Sequence, residues 1–214
     1  MTKRFFIVIF LISFLPGILA AQFVPNLSGF SKSTLSKARA DLKVNYMTLE
    51  EQNVIFYMNL VRLQPKIFLE TIVRPYIKEY EMENNSFAKS LIKDLKKSKS
   101  VGVLKPKKDL FEVAENHRVD IGENGILGHV GSNHNTFKKR AAGIMRVYDG
   151  AGECIGFGYD SAIQNVIELL IDKGVRSLGH RKTILNGEYN WASSSIGYHS
   201  NYGSCCVIDY GMLD

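Results

Sequence analysis

Cysteine, proline and tryptophan are scarce in this chain, at three, five and one among 214 residues. Three cysteines exclude a disulfide-dense scaffold, and five prolines beside 18 glycines exclude collagen-like and low-complexity architectures. No apolar run beyond the first fifteen residues approaches the ~20 that a membrane span needs. Compact catalytic signatures are missing too, since there is no HExxH, no CxxC and no GxSxG. Any site must therefore assemble from distant pieces of chain. The densest basic run, Lys89 to Lys99, contains no aromatic residue, which excludes the basic, aromatic-interleaved surface of a nucleic-acid binder and fits a solvated helix face.

What is present is a globular composition, 45% hydrophobic and 22% charged, of a length that suits one sizeable domain. Lys3 and Arg4 precede an apolar run from Phe5 to Leu15, Pro16-Gly17 interrupts it, and the small Ala20 and Ala21 follow. This pattern predicts a secretory signal peptide over residues 1–21, cleaved after Ala20 or Ala21, and no transmembrane anchor once it is removed. Without Lys3 and Arg4 the 27 basic residues become 25 against 21 acidic, a net charge of +4. The protein is thus expected outside the cytoplasm, whether periplasmic, extracellular or fully secreted. There thiols oxidise, so Cys154, Cys205 and Cys206 can form at most one bridge within the chain. Adjacent residues of a strand face opposite ways, so only one of Cys205 and Cys206 can meet Cys154, and three buried thiols are the alternative.

Residues 22–47 read as a polar lead-in, and the domain is expected to span 48–214. Thr48 with Glu51 at the third helical position forms a capping-box pattern for a first helix that Pro65 ends. Helical patterns follow at 66–81, interrupted by Pro75, at 86–97 and at 108–121. A glycine-rich loop spans 122–133, a short helix carries Phe137 and Ala141, and strands are expected at 145–148 and 153–157. The stripe Ile163, Val166, Ile167 and Leu170 marks a helix over 161–173 behind Asp160, stopped by Gly174. Strands at 194–199 and 204–210 flank a turn at Asn201-Tyr202-Gly203. Helices first and strands later, without regular alternation, predict an α+β fold with an antiparallel sheet.

Of five histidines, His129 and His180 each follow a glycine in a tight loop, and between them lie Glu153 and, at the end of the strong helix, Asp172. Two imidazoles and two carboxylates are a donor set suited to zinc. His117 is expected to pack or cap within its helix, His134 and His199 to lie on the surface, and Trp191 to cover the core.

The order of these motifs resembles the CAP superfamily of cysteine-rich secretory, antigen five and pathogenesis-related proteins, in particular its bacterial secreted SCP-like branch. The resemblance covers residues 48–211. It rests on Glu51 with Asn59 and Arg62, on Leu104, Leu110, Ala114, His117 and Asp120, on Gly128-His129, on Arg140 with Gly143, on Gly152-Glu153-Cys154-Ile155, on Gly179-His180-Arg181 with Ile184-Leu185-Asn186, and on Ile196-Gly197-Tyr198. It implies a three-layer α-β-α sandwich with a central antiparallel sheet, and a groove where His129, Glu153, Asp172 and His180 meet. The two histidines would hold Zn2+ or another divalent cation and the two acids would orient water or ligand. Three departures stand out. Asp172 occupies a position where many members have Glu or Ser, with Glu168 one turn earlier as a competitor. Cys154 replaces the usual Asn, and Leu169 replaces the helix tryptophan.

Two functions follow as expectations. One is a metal-binding extracellular module or effector whose partner is a peptide, a lipid or sterol, or a cell-surface ligand. The other is a metal-dependent, peptidase-like hydrolase in which Glu153 would deprotonate a zinc-bound water.

Overall fold

The computed structural model describes residues 23–213, so the expected signal peptide lies outside the described residues. The helices are α1 (Lys32–Arg39), α2 (Leu49–Leu63), α3 (Pro65–Phe68), α4 (Arg74–Glu79), α5 (Ser86–Lys97), α6 (Lys108–Asn124), α7 (Phe137–Ala141), α8 (Ala162–Ile171) and α9 (Gly179–Leu185). The strands are β1 (Gly150–Phe157), β2 (Trp191–His199) and β3 (Gly203–Met212), in one antiparallel sheet of order β1-β3-β2. The chain is thus a mixed α+β fold. No helix of the described residues is long and apolar enough to cross a membrane.

The middle strand β3 is buried almost throughout and holds the sheet together. Alternation along it sends Cys206, Ile208 and Tyr210 into the main core with α2 and α8, and Cys205 and Val207 into a smaller cluster with Ala114 and Ile121 of α6. Helices therefore cover both faces. Gly122 lets α6 approach the sheet closely, since a Cβ there would collide with the carbonyl oxygen of Tyr198.

Several residues of the first helix are structural anchors. Thr48 and Glu51 complete a reciprocal capping box, and the second Glu51 oxygen accepts from the backbone of Ile196 at 2.9 Å. Asn59 pairs with both backbone groups of Leu104. Arg62, fully buried, donates to the carbonyls of Gly102, Ile184, Asn186 and Tyr189 at 2.7–2.8 Å, which fixes the turn between α9 and β2.

The structure corrects several expectations. The segment before residue 48 is part of the same core: Phe23, Phe30 and Ala38 are buried in it and α1 packs on α2. Pro75 does not break its helix, because a π-helical turn over Leu69–Val73 leads straight into α4, where the proline sits in the first turn and needs no N–H. Met145 lies in a 3-10 turn rather than a strand. Ser161, not Asp160, precedes α8, and α9 is a helix where a loop was expected. His199 is fully buried, its Nε2 against the Ile126 carbonyl at 3.0 Å.

Of the two readings of the cysteines, the structure has the buried thiols: Cys154, Cys205 and Cys206 are all free and buried. Cys154 is in register with Ile208, so Cys206 is its diagonal neighbour, and Cys205 faces the other side of the sheet. Diagonal neighbours stand about 7–8 Å apart, beyond the usual span of a bridge. Burial raises all three thiol pKa values, Cys205 to about 11, so they act as small apolar core residues.

Candidate functional site

The site forms around the edge strand β1, between the loop that follows α6 and the turn joining α8 to α9. Asp172 caps the end of α8 in a left-handed conformation, with φ 62° and ψ 38°. A non-glycine residue there is strained, and two bonds offset the strain. One Asp172 oxygen accepts from His180 Nδ1 at 2.8 Å and the other from the backbone N–H of Arg181 at 3.2 Å. Arg181 itself is buried and donates to the Leu170 and Ile171 carbonyls and to Asp94 and Ser90 on α5. The position of His180 is thereby fixed by three helices.

On the opposite side His129 is held by Glu153, whose Oε1 accepts from His129 Nδ1 at 2.7 Å. Arg140 from α7 clamps the same carboxylate at 2.8 and 2.6 Å, and its other terminal nitrogen donates to the carbonyls of His129 and Asn135. Loop, helix and strand are tied together at this one guanidinium. The two carboxylates are almost wholly enclosed, at 1% exposure for Glu153 and 0% for Asp172, whereas the imidazoles keep 50% and 20%.

All four sequence-selected residues thus fall in one region, with the imidazole ring centres 6.5 Å apart and inclined at 43°. They meet as two pairs, His129 with Glu153 and His180 with Asp172. Because each carboxylate engages Nδ1, each ring is oriented with its Nε2 away from the acid, where that nitrogen has no protein partner among the described residues. Two cavities flank the pairs. One, of about 300 Å³, lies beside Arg140, His117 and Asp120; the other, of about 330 Å³, lies beside His180, β1 and α8. Glu168 lines the second cavity and accepts from the Tyr76 hydroxyl at 2.7 Å rather than joining the histidines. Leu169 lines it as well.

Asp209, absent from the sequence-derived set, lies behind Glu153. It occupies the same cross-strand row as Glu153 and Ser193, is fully buried, and neither of its oxygens has a donor. Burial, and then the charge of Glu153, push its carboxyl well above the usual aspartate range, so Asp209 resists ionisation beside Glu153. One guanidinium balances one of the two carboxylates, and the proton neutralises the other. His117 is buried nearby, its Nε2 donating to the Gly128 carbonyl at 3.1 Å, and burial holds its pKa down so that the ring is neutral. The Nδ1 of His117 and the Nε of Arg140, like the Asp209 oxygens, are enclosed and have no hydrogen-bond partner among the described residues. A signal for Asp209 was visible in the sequence, a lone acid closing the apolar run Cys205-Cys206-Val207-Ile208. Arg140 entered the sequence reading only as part of the resemblance, without a role in the site.

Three or more His, Cys, Asp or Glu side chains do not converge on a shared ion position anywhere among the described residues. The groove offers two nitrogen donors, with its carboxylates engaged behind them.

No family model matches the chain, and no curated protein matches it in sequence. Among solved structures, an outer surface protein from Borrelia burgdorferi overlaps 64% of this chain and 94% of its own at 14% identity and a TM-score of 0.44. An extracellular SCP-domain protein from Bacillus anthracis overlaps 60% of this chain and 39% of its own at 18% identity and a TM-score of 0.43. Both are partial likenesses, and neither establishes fold or function for this chain.

Proposed function

We propose that this protein is an exported, CAP-type binding module whose groove holds a divalent cation, zinc for choice, between Nε2 of His129 and Nε2 of His180. In this reading the helices on the two faces of the sheet are the outer layers of the three-layer CAP sandwich. One observation carries the proposal: each imidazole has its Nδ1 held by a buried carboxylate and its Nε2 left free at the groove. Such carboxylate–histidine pairs set the tautomer and raise the basicity of the free nitrogen, as in the outer shell of zinc sites.

The ring centres stand 6.5 Å apart, wider than the about 5 Å at which two imidazoles would share one zinc, so binding would draw the two pairs together. With two protein donors the remaining positions fall to water or a ligand, which suits capture of a partner rather than a closed structural site. When bound, the ion would polarise and anchor a ligand oxygen. The protein's own residues orient the donors: Arg140 sets Glu153, Glu153 sets His129, and Asp172 sets His180.

The hydrolytic alternative has less support, because Arg140 and His129 engage the Glu153 carboxylate and leave it little freedom to take a proton from water. Zinc titration by calorimetry into chelator-treated protein is the test. His129→Ala and His180→Ala should each weaken binding by more than ~tenfold, and Asp172→Asn by ~10–100-fold. Unaltered zinc affinity in the double histidine variant would refute the site. Chelator-sensitive peptide cleavage that disappears in Glu153→Gln would establish the hydrolase instead.

A further inference from the structure

The cavity beside His180 has a chemistry of its own. One face of α8 presents Asn165, Glu168, Leu169 and Asp172 at the i, i+3, i+4, i+7 spacing, Val175 closes one end, and Gly156 is the β1 residue that faces this helix, since Ile155 and Phe157 turn to the α6 side of the sheet. Gly156 leaves room where a side chain would crowd Asn165. Within this lining Glu168 is half-buried, with one oxygen held by Tyr76 and no ion-pair partner within 4.0 Å among the described residues. Burial raises its pKa, an unfavourable state for a carboxylate that a bound cation would relieve. Asn165 supplies a second, independent sign. It is fully buried, its amide NH2 donates to the Tyr159 and Ser161 carbonyls, and its Oδ1 has no donor and abuts Gly156 in the cavity wall.

A carboxylate with one oxygen left free and an amide oxygen without a donor, in a cavity of about 330 Å³, complement a cation on an aliphatic stem. We infer that this cavity is a subsite for a lysine side chain of a peptide lying along the groove. The methylenes would pack on Leu169 and Val175, and the ammonium would meet Glu168. Lys173, exposed at the rim, lies near Glu168 without pairing with it; as the only lysine or arginine lining the cavity, it is the rival of the ligand's ammonium. The inference rests on the reading of this region as a ligand groove, but it requires no metal.

The experiment titrates N-acetyl-lysine N-methylamide, and its norleucine and glutamine counterparts, into the protein in the presence of a chelator, followed by NMR. The lysine probe should bind about tenfold or more tightly than norleucine, as one charge-assisted contact predicts. Glu168→Gln should reduce lysine to the norleucine level. Lys173→Gln alters an exposed residue and leaves the core intact, and it should tighten lysine binding. Equal binding of lysine and norleucine by the parent overturns the subsite. So does lysine preference retained in a folded Glu168→Gln, or lysine binding not tightened in Lys173→Gln. Zinc titration of the same samples separates the two readings: lysine preference without zinc binding removes only the metal, and zinc binding without lysine preference removes only the subsite.

Discussion

Replacing Asp209 by Asn isolates the buried proton behind Glu153. In the folded protein this carboxyl has no exposed surface, no donor to either oxygen, and Glu153 opposite it with Arg140 already committed to Glu153. Its pKa is raised well above the ordinary value, first by burial and then by the Glu153 charge. In the unfolded chain an aspartate ionises near ~3.9. Between that value and the folded one the native state holds one more proton than the unfolded state, so this group's contribution falls as pH rises. The slope is ~1.4 kcal/mol per pH unit. Asparagine has no titrating proton, and it keeps the size and polarity of the acid. The variant should therefore match the parent near pH ~4 and gain on it as pH rises, by up to ~1.4 kcal/mol per unit, until the native carboxyl ionises. Urea unfolding followed by circular dichroism at pH 4.5, 5.5 and 6.5 measures the difference. An offset that stays constant across these values, or shrinks as pH rises, would show that Asp209 is ionised in the native state and refute the reasoning.

Two further outcomes follow from the same physics. His117 is held neutral by burial, so the unfolded chain takes up more protons once pH falls below ~6.5, and the parent loses stability there that His117→Gln does not lose, by up to ~1.4 kcal/mol per pH unit in matched urea titrations. Arg62→Ala removes a guanidinium whose pKa burial lowers to about 10 and leaves four carbonyls without their donor, so its urea midpoint should fall by the equivalent of ~3–5 kcal/mol; a loss under ~1 kcal/mol would mean that water replaces the side chain.

Local chemistry was enough for much of the fold. The Thr48–Glu51 capping box, the apolar stripe of α8 and the Asn201-Tyr202-Gly203 turn between β2 and β3 involve partners only a few residues apart, and each is readable from local sequence. The candidate histidines and acids were legible for a second reason: glycine beside a histidine, and a lone acid within or at the end of an apolar element, are costly choices for a purely structural segment. Sequence could not decide how these residues pair. That Glu153 engages Arg140 and His129, while Asp172 turns to His180, depends on α7, β1 and the α8–α9 turn meeting across long stretches of chain. The state of Asp209 depends equally on register, because only the pairing of β1 with β3 places two carboxylates opposite one another away from water. Periodicity determines which face of an element is buried; desolvation and the distance between charges, which decide what a buried acid or imidazole can do, are properties of the assembled fold.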